Sequence, residues 1–458
     1  MGLLLLVEAG LRLFGDPRPY ELVAPYAYDG QEWLQVNRGY LEKYFPANSP
    51  LIPELKPTIV HAVKSQGEIR VLCLGESSMF GTPYQAGASA PAILQKQLRH
   101  LFPNREITVI NLGASAINSN VIADFVPQTL ILRPDVVLIY TGHNEFYGPD
   151  GVGASWLERK IPWLTEAKYR LRDLRIVGSI QRWLHTVWTR RNSKNAELNL
   201  MRQVSEGAHV KHGSPEERRI ALLFHKNLLR IVEFYKERNI AVVVSDVVSN
   251  LLFPPFASES AAGAELSQSA IRQGDPAKVL GLLQEVRRRG ATDASLEYSL
   301  GAFLAQRGDS SSARPYLEQA RDEDLLKFRA PSVIDTVIRD VCGETGTSLV
   351  STVALFDSLS PGHIPGPLLF WEHLHPRALG YYHIADVFLK ALLDRRLIPS
   401  GNPDSSFRAR LPFDMDQLSI SWLDLGLADL SVQALTGRWP FESFHVPTPD
   451  FDRADTAL

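Results

Sequence analysis

The chain has 458 residues, 45% hydrophobic and 22% charged, with a formal net charge of -3. That length allows two or three domains, or one with large insertions, and that balance suits a globular chain with no reason for a nucleic-acid partner. The two cysteines, Cys73 and Cys342, exclude a disulfide framework and a cysteine-rich metal site.

Residues 1–16 carry an apolar run far shorter than the ~20 residues that span a bilayer. They lack the basic start and small-residue cleavage site of a signal peptide. Three readings stay open: the remnant of a membrane anchor whose start is missing, an interfacial amphipathic helix, or an ordinary first helix. The first is the expectation. It carries membrane association through residues 1–14 and an anchored or extracytoplasmic location, with a cytoplasmic one as the alternative. Residues 17–67 are rich in Pro, Tyr and Asn. They read as an arm with short extended pieces near Trp33–Val36 and Thr58–Val63.

The stretch Val71-Leu72-Cys73-Leu74-Gly75-Glu76-Ser77-Ser78 organises the rest. Its apolar run, from about Ile69, predicts a strand covered on both faces. Gly75 lets the chain turn and leaves small polar residues at the strand's carboxyl end. Ala88–Leu101 shows a helical stripe of Ile93, Leu94, Leu98 and Leu101. A second strand spans Glu106–Leu112 and ends in Gly113-Ala114-Ser115-Ala116. A helix near Asn120–Leu132 stops at Arg133-Pro134. A third strand, Val136–Tyr140, ends in Thr141-Gly142-His143-Asn144-Glu145. Strand, helix, strand, helix, strand predicts a parallel α/β sheet whose carboxyl ends share one rim.

Residues 150–212 read as a helical insertion carrying Trp156, Trp163, Trp183 and Trp188. Ser214-Pro215-Glu216-Glu217 is a strong helix start, and the helix runs to about Arg238. Ile240–Val248 is the fourth strand. Gly274-Asp275 recurs as Gly308-Asp309, 34 positions on, a tetratricopeptide-like period. Leu300, Gly301, Ala313, Leu317 and Ala320 mark the better copy; Leu266, Ala270, Val279 and Leu283 mark a degenerate one. Residues 259–329 are therefore expected to be a helical insertion. Residues 264–324 would offer a surface to a protein partner, or a structural cap. Pro331–Glu344 is a helix, Thr347–Leu355 the fifth strand, and Gly380–Leu393 a closing helix. Residues 399–458 form a C-terminal extension with one helical piece near Leu418–Thr436.

Four polar blocks stand at strand ends: Gly75-Glu76-Ser77-Ser78, Asn111-Leu112-Gly113-Ala114-Ser115-Ala116, Gly142-His143-Asn144-Glu145 and Glu372-His373-Leu374-His375-Pro376. A serine hydroxyl needs an adjacent base, and a base needs an orienting acid. Glu-x-x-His spacing selects His375 over His373 as the base. The cluster His363, His373, His375 and His383 lacks the spaced carboxylates or cysteines of a metal site. No phosphate-binding Gly-x-x-x-x-Gly-Lys-Ser/Thr loop is present, and Gly-x-Ser-x-Gly does not surround Ser77.

These blocks resemble those of the SGNH hydrolases, also called GDSL esterases/lipases, in the branch that carries tetratricopeptide repeats. The resemblance covers roughly 68–148, 240–252 and 347–393. It implies a five-stranded parallel flavodoxin-like three-layer sandwich, split into 68–258 and 330–398 around the repeats. It implies Ser77 as nucleophile, His375 as base and Glu372 as its acid, with no cofactor. Ser77, Ala116 and Asn144 would form the oxyanion hole, with Gly113 as a fallback donor. Ala116 stands where the family has Gly and serves if its φ is negative. Glu76 and Glu372 stand where the family has Asp. The expected activity is hydrolysis of an O-acyl ester, on a small molecule, glycan or lipid, or acyl transfer to another acceptor. The competing reading is a non-catalytic assembly module that binds partners through its repeats.

Overall fold

A computed structural model of the chain describes residues 2–14, 21–45, 52–84, 87–152, 171, 174–177, 179–180, 183, 208–259, 275–289, 292–398 and 410–441. Three strands, β1 (Val23–Tyr28), β2 (Gln31–Val36) and β3 (Ile59–His61), form a small antiparallel sheet. Five more, β4 (Ile69–Gly75), β5 (Ile107–Asn111), β6 (Val136–Tyr140), β7 (Ala241–Ser245) and β8 (Ser348–Val350), form a parallel sheet in the order β5-β4-β6-β7-β8. Renumbered within this sheet, the order is 2-1-3-4-5, the flavodoxin-like winding.

The winding explains the burial. Every residue of the central strands β4 and β6 is buried, whereas edge strand β8 is half-buried throughout. Helices cover both faces. Ala90–Leu101 packs on Ala378–Asp394, while Pro215–Lys236 packs on Ser119–Phe125 and Ser332–Thr345. Right-handed crossovers require this division, because the first connection runs sideways in the opposite sense to the next three. The strand order therefore reverses at β4, and its neighbour β6 shares the switch point where such sheets bind ligands.

Several sequence expectations are corrected here. The fifth strand is three residues long, and Thr352–Leu359 is a helix. Ser351 caps it by accepting from the Ala354 N–H at 3.0 Å, and the Asp246 carboxylate takes the Val353 N–H and the Ser351 hydroxyl. The helix of 120–132 is α only over Ser119–Phe125 and continues as a 3-10 turn, because Pro127 cannot donate within an α-helix. The arm holds a hairpin as well as the extended pieces. Asp29 and Gly30 both take positive φ, as a tight two-residue turn requires.

The arm is tied to the body by polar contacts. Lys43 meets Asp124 at 2.7 Å, and Arg70, buried inside β4, is held by Glu68 and by the carbonyls of His61 and Leu132. The Gly-Asp repeats are helix starts. Asp275 and Asp309 each accept from the N–H three residues on, opening Pro276–Arg288 and Ser310–Glu323. Between them lies Ala294–Gln306. A Cβ on Gly301 would lie 2.8 Å from Leu317, so these helices cross closely. The packing residues form small clusters of their own, Val279, Leu283, Leu296 and Leu300 in one and Ala313 and Leu317 with Leu251 and Ile364 in the other. Leu266, Ala270, Trp156, Trp163 and Trp188 lie outside the described residues; Trp183 is exposed. Gly2–Phe14 is a helix whose Glu8 accepts from the N–H groups of Arg175 and Ile176 at 3.0 Å each. Among the described residues no helix is long and apolar enough to cross a membrane.

Candidate active site

Strand register sets the site. Gly75 pairs with Tyr140, so the residues just past β4 and β6 emerge side by side. Gly75 is needed for this approach: any Cβ there would collide with the Tyr140 carbonyl oxygen. Glu76 then bridges the two loops. One of its oxygens accepts from the Thr141 hydroxyl (3.0 Å) and the Gly142 N–H (3.1 Å), the other from the N–H groups of His143 (2.8 Å) and Asn144 (3.1 Å). Burial and the nearby Glu145 carboxylate push Glu76 above the ordinary carboxyl range. Three backbone N–H groups and a hydroxyl on its two oxygens oppose that shift by favouring the carboxylate, and they tie Glu76 to the Asn144 loop.

Ser77 opens a one-turn helix, Ser77–Phe80, so its N–H has no acceptor within that helix. Its hydroxyl donates to His375 Nε2 at 2.9 Å. His375 Nδ1–H donates to one oxygen of Glu372. That fixes the tautomer and leaves Nε2 as the acceptor that faces Ser77. Burial lowers the His375 imidazole, to about 3, so it stands neutral. Glu372 is held by the loop it opens: the N–H groups of His373 (2.7 Å) and His375 (2.9 Å) both donate to it. Asn250, past β7, clamps this loop from outside by donating to the carbonyls of Glu372 and His373, each at 2.9 Å.

The structure thus brings Ser77, His375 and Glu372 into one hydrogen-bonded chain. Ser78 is not part of it; its hydroxyl is buried without a partner among the described residues. Asn144 has a buried Nδ2 that donates to nothing among the described residues. Such an orphan donor is costly unless something else uses it. His143 packs the loop: its Nδ1 accepts from the Ala330 N–H at 3.2 Å.

Two oxyanion expectations change. Gly113 is excluded as a donor, because its N–H is already given to Asn111 Oδ1 at 2.8 Å. Its lack of a side chain serves packing, since a Cβ would lie 2.5 Å from the Phe80 nitrogen. Ala116 has φ +56°, not the negative value expected. An L-residue there costs roughly 1–2 kcal/mol, and Gly loses about 0.4–1 kcal/mol through its freer unfolded chain. Ala116→Gly is therefore expected to stabilise the fold by roughly 0.5–1 kcal/mol, read as a higher denaturation midpoint at unchanged m-value.

The sequence reading missed the reach of Glu372 to a second histidine, described below, and the clamps from Glu76 and Asn250. The Glu-His-x-His doublet flagged His373 only as a rival base. Among the described residues no group of three or more His, Cys, Asp or Glu is placed to hold a metal ion.

No family model matches the sequence, and no curated protein matches it. Similar solved structures include an alpha/beta hydrolase enzyme from the metagenome of Lake Arreo, Spain, at 15% identity and TM-score 0.35, covering 74% of this chain and 99% of that one. An acetylxylan esterase from Geobacillus stearothermophilus matches at 13% identity and TM-score 0.33, covering 73% and 95%. A lipolytic protein of the G-D-S-L family from Desulfitobacterium hafniense matches at 10% identity and TM-score 0.32, covering 70% and 99%. With TM-scores this low, none of these likenesses says what this chain acts on, and its chemistry is read from its own residues.

Proposed function

We propose that the protein is a serine-dependent ester hydrolase or acyltransferase of SGNH type that works through an acyl-serine. The observation that carries the reading is the 2.9 Å contact from Ser77 to a histidine whose other nitrogen is held by Glu372. Ser77 Oγ attacks the ester carbonyl carbon as His375 Nε2 takes its proton. The tetrahedral oxyanion is met by the Ser77 N–H and Asn144 Nδ2; Ala116, at φ +56°, fails the condition set for it as a third donor. Collapse breaks the bond to the alcohol oxygen, which leaves with the proton from His375. Water or an acceptor alcohol then repeats the sequence on the acyl-serine. A small-molecule or glycan O-acyl ester is the substrate class.

The test is a fluorophosphonate probe with p-nitrophenyl acetate. Labelling that maps to Ser77, and turnover that the probe abolishes, are the expected results. No labelling and no Ser77-dependent turnover would sink the enzyme reading for simple esters, leaving a transferase with a demanding acceptor or the assembly module that binds partners through residues 264–324. Asn144→Ala is expected to lower kcat by about 10²–10³-fold while KM stays nearly constant, because the amide meets charge that exists only in the transition state. Steady-state kinetics on the same ester measure it.

A further inference from the structure

Glu372 serves two imidazoles. His375 Nδ1–H donates to its Oε1, and His373 Nδ1–H donates to its Oε2. The two rings stand edge to face, centroids 5.9 Å apart. His373 is buried at 2% exposure. Its ring is walled by Phe253, Phe256, Phe328 and Phe441, with centroids 5.9, 5.1, 6.4 and 5.2 Å away. Phe441 comes from the C-terminal extension, so that extension closes the wall.

In water an imidazole beside a carboxylate would take a proton. A charged His373 would neutralise Glu372 and remove the anion that must stabilise the His375 imidazolium. The wall opposes this. The titratable and charged groups that face His373 are Glu372, His375, Arg329 and His143; burial first, then His375, Arg329 and His143, hold it well below the usual imidazole range. What remains is a neutral N–H that fixes the rotation of the carboxylate without discharging it.

We propose that His373 is a positioning residue for the Ser77–His375 chemistry: from inside an aromatic wall, its Nδ1–H clamps the outer oxygen of Glu372 and so sets the carboxylate that orients His375. The proposal rests on Ser77 being the nucleophile.

The experiment combines proton NMR with kinetics on the full chain. The wild-type protein shows two far-downfield imidazole resonances, one for each Nδ1–H on Glu372. His373→Leu removes one and moves the other. It lowers kcat on p-nitrophenyl acetate by up to about 10²-fold with KM nearly unchanged, as expected for a misplaced catalytic group. The acid limb of its kcat/KM profile moves upward, because Glu372 then gives its charge to His375 alone. His373→Asn puts an amide N–H close to the lost Nδ1–H and recovers most of the rate. If a natively folded, probe-labelled His373→Leu keeps kcat within about threefold and leaves the His375 resonance unmoved, the positioning role is overturned. If wild-type Ser77 is not labelled, the hydrolase reading falls and the role falls with it, although two shared resonances would still show the carboxylate held by both rings.

Discussion

Ser77→Ala is expected to lower kcat by about 10⁶-fold and to abolish fluorophosphonate labelling. Among the described residues, the hydroxyl is the nucleophile that His375 Nε2 reaches, at 2.9 Å. Ser78, one residue on, faces no base, so it cannot substitute. Removing one buried hydroxyl with one hydrogen bond costs roughly 1 kcal/mol of stability, so the variant remains folded and its circular dichroism unchanged. His375→Ala should cost a similar factor. The double variant should be no worse than either single one, since a nucleophile without its base and a base without its nucleophile are equally idle. Retention of a thousandth of the wild-type rate, about 10⁻³, by Ser77→Ala would sink the acyl-serine mechanism.

The sequence spoke most clearly where a single segment determines its own environment. The apolar runs of β4 and β6 have no polar side to turn outward, so only a two-sided burial suits them, and the structure buries every residue. Ser214 announces its helix because cap, proline and acids are adjacent in sequence; its hydroxyl accepts from the Glu217 N–H. Features that depend on distant residues stayed hidden. Thr347–Leu355 reads as a strand until Asp246, about a hundred residues earlier, takes the amide and hydroxyls that start a helix. Gly113 reads as a free donor until Asn111 folds its side chain back onto it. Glu76 reads as support for a turn, and only the loop after β6 shows that it supports Asn144 as well. The Asp29-Gly30 hairpin differs from these, because its signal is local: Asp-Gly is a two-residue turn sequence, and both residues take positive φ.

Glu372→Gln is the second large effect, an expected loss of about 10⁴-fold in kcat, as when the acid of a serine triad becomes an amide. Glu372 accepts from both imidazole Nδ1–H groups and from the backbone of His373, Leu374 and His375. A glutamine keeps the shape but offers one acceptor oxygen and one NH₂. Whichever way the amide turns, its NH₂ meets donors. If it faces His375, the imidazole moves its proton from Nδ1 to Nε2 to accept from the amide. Nε2 then donates toward Ser77 and can no longer take its proton, so the nucleophile is silenced with every heavy atom in place. If it faces His373 instead, Oε1 still receives His375 Nδ1–H, but without the negative charge that supports the imidazolium. Glu372→Asp separates charge from reach: the anion remains while one methylene of reach is lost, and about 10²-fold is expected. Single-turnover kinetics with p-nitrophenyl acetate on natively folded variants measure both. A Glu372→Gln rate within about tenfold of wild type would mean that His375 needs no acid, and Glu372 would then be a packing partner of His375 rather than a member of the catalytic chain.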